Sequence, residues 1–339
     1  MESSSNPAKL VAPTTGELTP AAVQAAELSV VVPMRNESAN LEELFARLLR
    51  VLERIGASFE VICVNDGSTD DTLAGLLAMR ERNPAVKIVS LSRNFGKDVA
   101  LSAGLDYARG SAVVLLDSDL QDPPELIEPM IEKWREGYDV VYATRADREG
   151  ETLAKRLTAY LFYRIFDRVT DVPIPRDTGD FRVLDRRVVE VLARLPERSR
   201  FMKGLFAWVG FKQTAIVYQR EPRHAGHTNW NYWRLWNFAI DAVTSFSSVP
   251  LKIWSYLGLV ISIFAFLYAL FLTILKLGKG IDVPGYTSLM VVVLFFGGVQ
   301  LITLGVIGEY LSRVYNEVKG RPLYLVRDLW GFDDRSRGA

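Results

Sequence analysis

Cysteine is nearly absent from this chain. Cys63 is the only one in 339 residues, so no disulfide framework braces it, and its place in an apolar run marks it as core packing. The two histidines, His224 and His227, stand three apart in a polar stretch without cysteine partners, which leaves no zinc-binding spacing. Neither sign of charge is in excess, because 40 Lys and Arg offset 40 Asp and Glu. No overall field therefore favours nucleic acid as a partner. No Gly-x-Gly-x-x-Gly follows the first strand-like run, so the dinucleotide fingerprint of a dehydrogenase is missing. Residues 1–26 are rich in Ser, Pro, Thr and Ala and lack the apolar core of a signal peptide. They read as a disordered cytosolic tail.

Long apolar runs are present, and both lie late in the chain. Ile253–Leu275 is 23 residues without a charge, and Val283–Gly308 is 26. Each exceeds the roughly 20 residues that span a bilayer as a helix. Only residues 276–282 separate them, which predicts a transmembrane hairpin over 251–313 rather than two buried core helices. Arg234, Lys252, Arg313, Lys319 and Arg321 flank the hairpin on one side, whereas the connection carries Lys276, Lys279 and Asp282. The positive-inside rule then puts both termini, and a cytosolic tail over 314–339, in the cytoplasm of an inner (plasma) membrane protein with two spans. Gly297, Gly298, Gly305 and Gly308 would let the second span pack closely against the first or against another subunit, so a homo-oligomer stays open. Before the hairpin, residues 229–250 carry Trp230, Tyr232, Trp233 and Trp236. Amphipathic rings at this spacing predict an interfacial helix lying on membrane lipid.

The rest of the chain alternates strands with helices. Leu28–Val32, Phe59–Asn65, Lys87–Leu91 and Val113–Leu116 are β-rich runs, and an amphipathic helix is predicted from about Leu41 to Ile55. Ser68 or Thr69 is expected to cap the helix that begins near Asp71. This order predicts an α/β fold with a doubly wound, mostly parallel sheet over 27–228. Polar clusters stand at four successive strand ends: Asn36 and Glu37, Asp66, Arg93 and Lys97, then Asp117 and Asp119. Each alone is a turn or a cap. Four at one edge of an open sheet, where ligands bind, predict a nucleotide site. Asp117 and Asp119, spaced i,i+2 with Gln121 close by, offer hard oxygen ligands suited to Mg²⁺ or Mn²⁺ carrying a diphosphate.

Val-Val-Pro-Met-Arg-Asn-Glu (31–37), Val-Asn-Asp-Gly-Ser-Thr-Asp (64–70), Asn-Phe-Gly-Lys (94–97) and Asp-Ser-Asp-Leu-Gln-Asp-Pro-Pro (117–124) resemble the family 2 inverting glycosyltransferases. The likeness is to the dolichyl-phosphate mannose synthase branch and its bacterial relatives, the polyprenyl-phosphate (bactoprenol) glucosyltransferases, over about residues 27–330. The resemblance implies a GT-A-like nucleotide-sugar domain. It also implies an enzyme that moves a hexose from a nucleotide-diphosphate sugar to a polyprenyl phosphate. By likeness to the bacterial branch these are glucose, UDP-glucose and undecaprenyl phosphate.

In that reading Pro33, Arg35, Asn36, Glu37, Asp66, Arg93, Lys97 and Asp117 bind the nucleotide, and Asp119 with Gln121 holds the metal. Asp117, Asp119, Asp180 and Arg182 form the catalytic set. Cations for the acceptor phosphate are Arg145, Lys155, Arg156, Arg182, Arg200 and Lys203. Of these, Arg145 and Arg182 stand in Ala143-Thr144-Arg145 and Gly179-Asp180-Phe181-Arg182, which resemble family motifs near the sugar and acceptor. A phosphate dianion is already a nucleophile, so no strong general base is required. One departure is Asn229, where the family usually has Lys. Processive polysaccharide synthases share the first motifs but carry Gln-x-x-Arg-Trp and more spans, and neither is found here. A membrane-anchored nucleotide-sugar-binding or assembly subunit without turnover is the other alternative, against which the intact Asp117, Asp119 and Gln121 argue.

Overall fold

Runs of Val, Ile and Leu that are apolar on both faces pair best in the middle of a parallel sheet with helices on either side. Such runs form the centre of the molecule. The computed structural model describes residues 26–146, 178–195, 197–198, 200–219, 247, 249–279 and 285–332. In chain order the elements begin with β1 (Leu28–Met34), α1 (Leu41–Ile55), β2 (Phe59–Asn65), α2 (Thr72–Arg82), β3 (Val86–Leu91), α3 (Lys97–Tyr107), β4 (Ala112–Leu115) and α4 (Ile127–Arg135). They continue with β5 (Val140–Arg145), β6 (Thr178–Asp185), α5 (Arg186–Arg194), α6 (Met202–Trp208) and β7 (Gln213–Tyr218). The last are α7 (Val249–Lys279), α8 (Tyr286–Val318) and β8 (Val326–Trp330).

Among the described residues the strands form one sheet in the order β7-β5-β6-β4-β1-β2-β3-β8. Its centre, β4-β1-β2-β3, is parallel, and β5 pairs with β7 in parallel. The sheet is mixed where β6 runs antiparallel to both β4 and β5. Two apolar layers cover it. One face packs against Leu44, Phe45 and Leu48 of α1, Leu76 of α2 and Met130 of α4. The other packs against Leu101 of α3, Val188 of α5 and Phe206 of α6. Gly104 sets how closely α3 approaches. A Cβ there would lie 2.1 Å from Val31 Cγ1, so any side chain would push the helix off the sheet.

The helices α7 and α8 contain apolar windows, Leu251–Leu272 and Ser288–Val318, of which none is buried against protein. Phe264 and Leu294 are about 70% exposed, as side chains facing lipid would be. At roughly 1.5 Å per residue α8 is about 50 Å long, more than the ~30 Å hydrocarbon core. It therefore extends beyond the 313 boundary expected for the hairpin. Its last turns hold Glu309, Arg313 and Glu317, with Arg313 3.2 Å from Glu309.

Within the segment expected as a cytosolic tail, 314–339, α8 continues to Val318 and the chain then returns to the sheet. β8 pairs antiparallel with the outer edge of β3, from Ile88↔Trp330 to Leu91↔Val326. Ser92 donates its N–H to Leu325 O at 2.9 Å, and Tyr324 donates its hydroxyl to Asp106 at 2.8 Å. Phe332 rests 5.0 Å from the Tyr107 ring. Short polar-looking strands such as Val-Arg-Asp-Leu-Trp carry little period-2 signal, and pairing with a buried neighbour is what orders this one. The expected 229–250 interfacial helix and the 1–26 tail lie almost wholly outside the described residues.

Ending the chain at Gly320 removes β8 and uncovers the β3 edge. This variant should insert both spans yet melt several degrees below the full chain in detergent. An unchanged melting temperature would show that β8 adds nothing to the stability of the sheet.

Candidate active site

The parallel pairing brings the carboxyl ends of β1 to β5 and β7 to one edge, and the antiparallel β6 starts there. All four polar strand ends thus meet along one rim. The β1 and β2 ends are clamped together first. Asn36 is left-handed, with φ 56°, and its side-chain oxygen accepts the Thr69 N–H at 2.8 Å. Its own N–H donates to Ser68 Oγ at 3.1 Å, and Glu37 N–H donates to Thr72 Oγ1 at 2.9 Å. The N-cap position of α2 is Asp71, not Ser68 or Thr69, and its side chain makes no cap bond. Asp70 Oδ1 instead accepts from both the N–H and the hydroxyl of Thr72, the first helical residue, at 3.1 and 2.6 Å. Burial works to raise the Asp70 pKa, but the bonds from Thr72 and Ser38 outweigh it and hold the carboxyl below its ordinary range. Glu37 accepts from Asn40 Nδ2 at 2.6 Å. Pro33 is buried inside β1, and Arg35 is exposed beside it.

Asp66 binds the next strand end. Its two oxygens accept the N–H groups of Phe95 and Gly96 at 2.7 and 3.0 Å, at the entrance to α3. Gly67 lets the two loops touch. It has φ +62°, and a Cβ there would lie 2.5 Å from the backbone at Arg93 and Asn94. The Arg93 guanidinium stacks 4.2 Å over Phe95.

Fixing that loop places Lys97, the first residue of α3, in the middle of the rim. Its ammonium lies 2.7 Å from Asp117, at the end of β4, and against Asp180, near the start of β6. Burial acts to lower the Lys97 pKa, but the two carboxylates prevail and raise it. For Asp180, burial is overcome by Lys97 and Lys203, and its pKa falls well below the ordinary value. Burial raises Asp117, as does the nearby Asp180 charge, against the pull of Lys97. The other Asp180 oxygen, Oδ1, is buried and has no hydrogen-bond partner among the described residues. An ionised carboxylate with one lone-pair face unused is suited to accept a hydroxyl proton.

Sequence reasoning misses Asp98, the residue after Lys97. It accepts the Met202 N–H and so holds the N-terminus of α6. Burial, then the Asp180 charge, pushes its pKa up to about 7 against the pull of Lys97 and Lys203.

The acidic loop after β4 is tightly wound. Asp119 accepts the Gln121 N–H at 3.1 Å, and Leu120 between them is buried with φ 58°. That angle is strained for a bulky residue and costs on the order of 1–3 kcal/mol, which the surrounding core must offset. Among the described residues no group of three His, Cys, Asp or Glu side chains could hold a metal alone. Asp119 and Gln121 fit a different arrangement, a hard cation bound by one carboxylate and one amide oxygen with substrate phosphates as the remaining ligands.

The expected acceptor cations divide. Arg145 ends β5 on this rim and hydrogen-bonds Tyr218. Lys203 reaches over β6, 3.3 Å from Thr178 O. Arg182, by contrast, is only 4% exposed. It donates to Gly179 O at 2.8 Å and lies 3.9 Å over the Phe206 ring. Burial lowers its pKa to about 10, against the pull of Asp180. Arg200 donates to Leu192 O and Leu195 O at 3.2 and 3.0 Å, closing the end of α5. Arg182, Arg200 and Lys203 thus all bind the chain's own carbonyls, and of these Arg182 is the most deeply buried. Lys155, Arg156 and Asn229 lie outside the described residues.

Comparison with known proteins follows the same division into rim and hairpin. A family profile described as Glycosyl transferase family 2 matches residues 29–192, and one described as the GtrB C-terminal hairpin matches 249–314. The chain is 61% identical over 307 residues to a glycosyltransferase of Synechocystis sp., covering 91% of this chain and 96% of that one. It is 44% identical over 301 residues to a prophage-derived bactoprenol glucosyl transferase of Shigella flexneri, covering 89% and 97%. Among solved structures, glucosyl-3-phosphoglycerate synthase of Mycobacterium tuberculosis, with Mn²⁺, UDP-glucose and phosphoglyceric acid, superposes with a TM-score of 0.43. The two are 22% identical, over 65% of this chain and 78% of that one.

Asp98 gives this site a signature in stability. A carboxyl raised from 3.8 to about 7 is protonated more readily folded than unfolded. Stability should therefore fall as pH rises from about 4 to 7, and the loss is complete above 7. Asp98→Asn keeps an acceptor for Met202 but cannot ionise. It should flatten this part of the melting-temperature profile and melt above the wild type at pH 8. Parallel profiles for the two proteins would refute the assignment.

Proposed function

Since this chain belongs to glycosyl transferase family 2 and carries a GtrB C-terminal hairpin, we propose that it transfers glucose from a nucleotide-diphosphate sugar, UDP-glucose, to the phosphate of undecaprenyl or a related polyprenyl phosphate. The observation that carries this reading is the 43–44% identity, over 89% of the chain, to bactoprenol glucosyl transferases. The rim supports it, because an acidic strand end and several cations converge where the sheet opens.

In this reading a phosphate oxygen of the lipid attacks the anomeric carbon as the bond to the nucleotide diphosphate breaks, inverting that centre. Residues 33–37, Asp66 and Arg93 line the nucleotide side. Asp119 and Gln121 hold a divalent metal, Mg²⁺ or Mn²⁺, which when bound neutralises charge on the leaving diphosphate. Lys97 adds a fixed positive charge beside Asp117 and keeps Asp180 ionised, and Asp180 Oδ1 accepts a sugar hydroxyl. Arg145 and Lys203 face the acceptor phosphate. Arg182 acts from below, holding the main chain of Gly179 and Asp180 in place through its donors to their carbonyls. No base is needed, because the dianion arrives deprotonated at neutral pH.

Membrane association follows from the two apolar helices and the hairpin family. A two-span topology with the catalytic sheet and both termini cytoplasmic is supported by β8. The chain leaves the sheet after β7, passes through both helices and rejoins the same sheet, so it crosses an even number of times. Lys252, Arg313, Lys319 and Arg321 stand at the helix ends that adjoin the sheet in sequence, which agrees with the positive-inside rule.

The direct test incubates the purified protein with radiolabelled nucleotide sugars and undecaprenyl phosphate and extracts the lipid. Label should enter the organic phase from UDP-glucose. Asp119→Asn should lower the rate by roughly 10²–10⁴-fold, and a chelator should abolish it until Mg²⁺ or Mn²⁺ is restored. Donor binding without any labelled lipid would mean a binding subunit, and full turnover in excess chelator would remove the metal.

Topology is tested separately. A cysteine at Gly280 should react with an impermeant reagent from outside intact cells, and a reporter fused after Ala339 should be active only in the cytoplasm. Labelling of Gly280→Cys only after permeabilisation would reverse the orientation.

A further inference from the structure

One buried hydroxyl links the acidic loop to an acceptor cation. Tyr218 ends β7 in register with Arg145 at the end of β5, and Ala146 N–H donates to Tyr218 O at 2.8 Å, closing the ladder. The Tyr218 ring lies in the core beside Val141 and Ala143 and is 6% exposed. Its hydroxyl donates to Asp122 Oδ1 and accepts from the Arg145 side chain. Asp122 is 2% exposed and follows Gln121 directly, with Pro123 and Pro124 fixing the chain beyond it. Arg145 Nε is buried and has no hydrogen-bond partner among the described residues.

We propose that Tyr218 is a positioning residue that holds the Arg145 guanidinium toward the acceptor phosphate and away from Asp122. A guanidinium and a carboxylate form a bidentate pair whenever they can meet. Were Arg145 to close on Asp122 in that way, its charge would be neutralised and its fork withdrawn from any incoming anion. The tyrosine hydroxyl, bonded to both, offers each a different partner. It donates to one oxygen of Asp122 and takes a donor from Arg145 as an acceptor, so that the rest of the fork can turn to a phosphate. Burial, with Asp122 alongside, raises the Tyr218 pKa, so the hydroxyl keeps the proton this arrangement requires. Because Asp122 belongs to the same short loop as Asp119 and Gln121, the acceptor cation is placed relative to the donor side by one side chain.

This inference rests on the reading of Arg145 as an acceptor-phosphate ligand, and the experiment separates the two. Tyr218→Phe keeps the ring in the core and deletes only the hydroxyl. In the full-length protein it should raise the KM for undecaprenyl phosphate about tenfold, the effect of one charge-assisted hydrogen bond. The Kd for UDP-glucose by calorimetry should stay within twofold. In an Arg145→Ala background, where KM is already high, Tyr218→Phe should add nothing. An acceptor KM unchanged by Tyr218→Phe overturns the inference. So does a parallel rise in donor Kd, or a full additive effect in the Arg145→Ala background. A wild-type acceptor KM in Arg145→Ala alone fails the acceptor reading itself and the inference with it.

Discussion

A lysine ammonium lies between two carboxylates that come from different strands, and the rim is organised around that contact. Asp117 and Asp180 approach each other where β4 and β6 lie side by side, and without Lys97 their charges would repel in a poorly solvated place. Removing one partner from such a cluster leaves an uncompensated buried charge, which is far more costly than the pair is stabilising. The requirement propagates outward. Lys97 is correctly placed only if α3 begins where it does, and Asp66 enforces that start by binding the Phe95 and Gly96 N–H groups. Asp66 in turn depends on Gly67, because the loop after β3 touches that turn backbone to backbone. Gly104 brings α3 close to β1 and β2. A single electrostatic constraint thus connects residues from four strand ends.

The same constraint explains which parts are legible in the chain alone. The β-rich runs, the α1 boundaries and the polar strand ends are local signals, set by periodicity and turn chemistry, and each appears in the structure. Side-chain roles that depend on what lies across the sheet are not local. Arg182 looks like an exposed phosphate ligand beside Asp180, yet it occupies a strand position covered by α6, where Phe206 supplies a ring and Gly179 a carbonyl. Asp98 resembles an ordinary acidic residue in a first helical turn until Met202 is seen to depend on it. The antiparallel direction of β6 has no signature in its apolar pattern. Arg200 is recruited by the carbonyls at the end of α5, a partner that spacing cannot reveal.

β8 is the plainest case of tertiary context overriding local sequence. Val-Arg-Asp-Leu-Trp has charge at its centre and follows a long membrane helix, so it reads as a tail. A charged strand is nonetheless suited to the outer edge of a sheet, since Arg327 and Asp328 discourage further pairing while Leu329 and Trp330 reach inward. Residue Ser92 is held by Leu325, directly before the loop that carries Arg93 to Gly96. The edge strand therefore fixes one end of the loop that Asp66 fixes at the other.

This gives the membrane hairpin two mechanical connections to the rim. One runs through β8 to residues 92–96 and so to Lys97. The other is Glu317, near the end of α8, which accepts the Arg198 N–H at 2.9 and 3.1 Å. Arg198 lies just before Arg200 and Lys203, in the segment that leads into α6 and faces Asp180. A helix crossing a bilayer has its depth set by its apolar length and its charged flanks. Two side-chain cations of the rim, Lys97 and Lys203, are thereby each a few residues from an anchor on α8 or on the strand that follows it. For a reaction in which a lipid phosphate must meet a water-soluble sugar donor, the relevant distance is that between those cations and the headgroup plane. In this fold those cations are joined to α8 by covalent continuity and two short contacts.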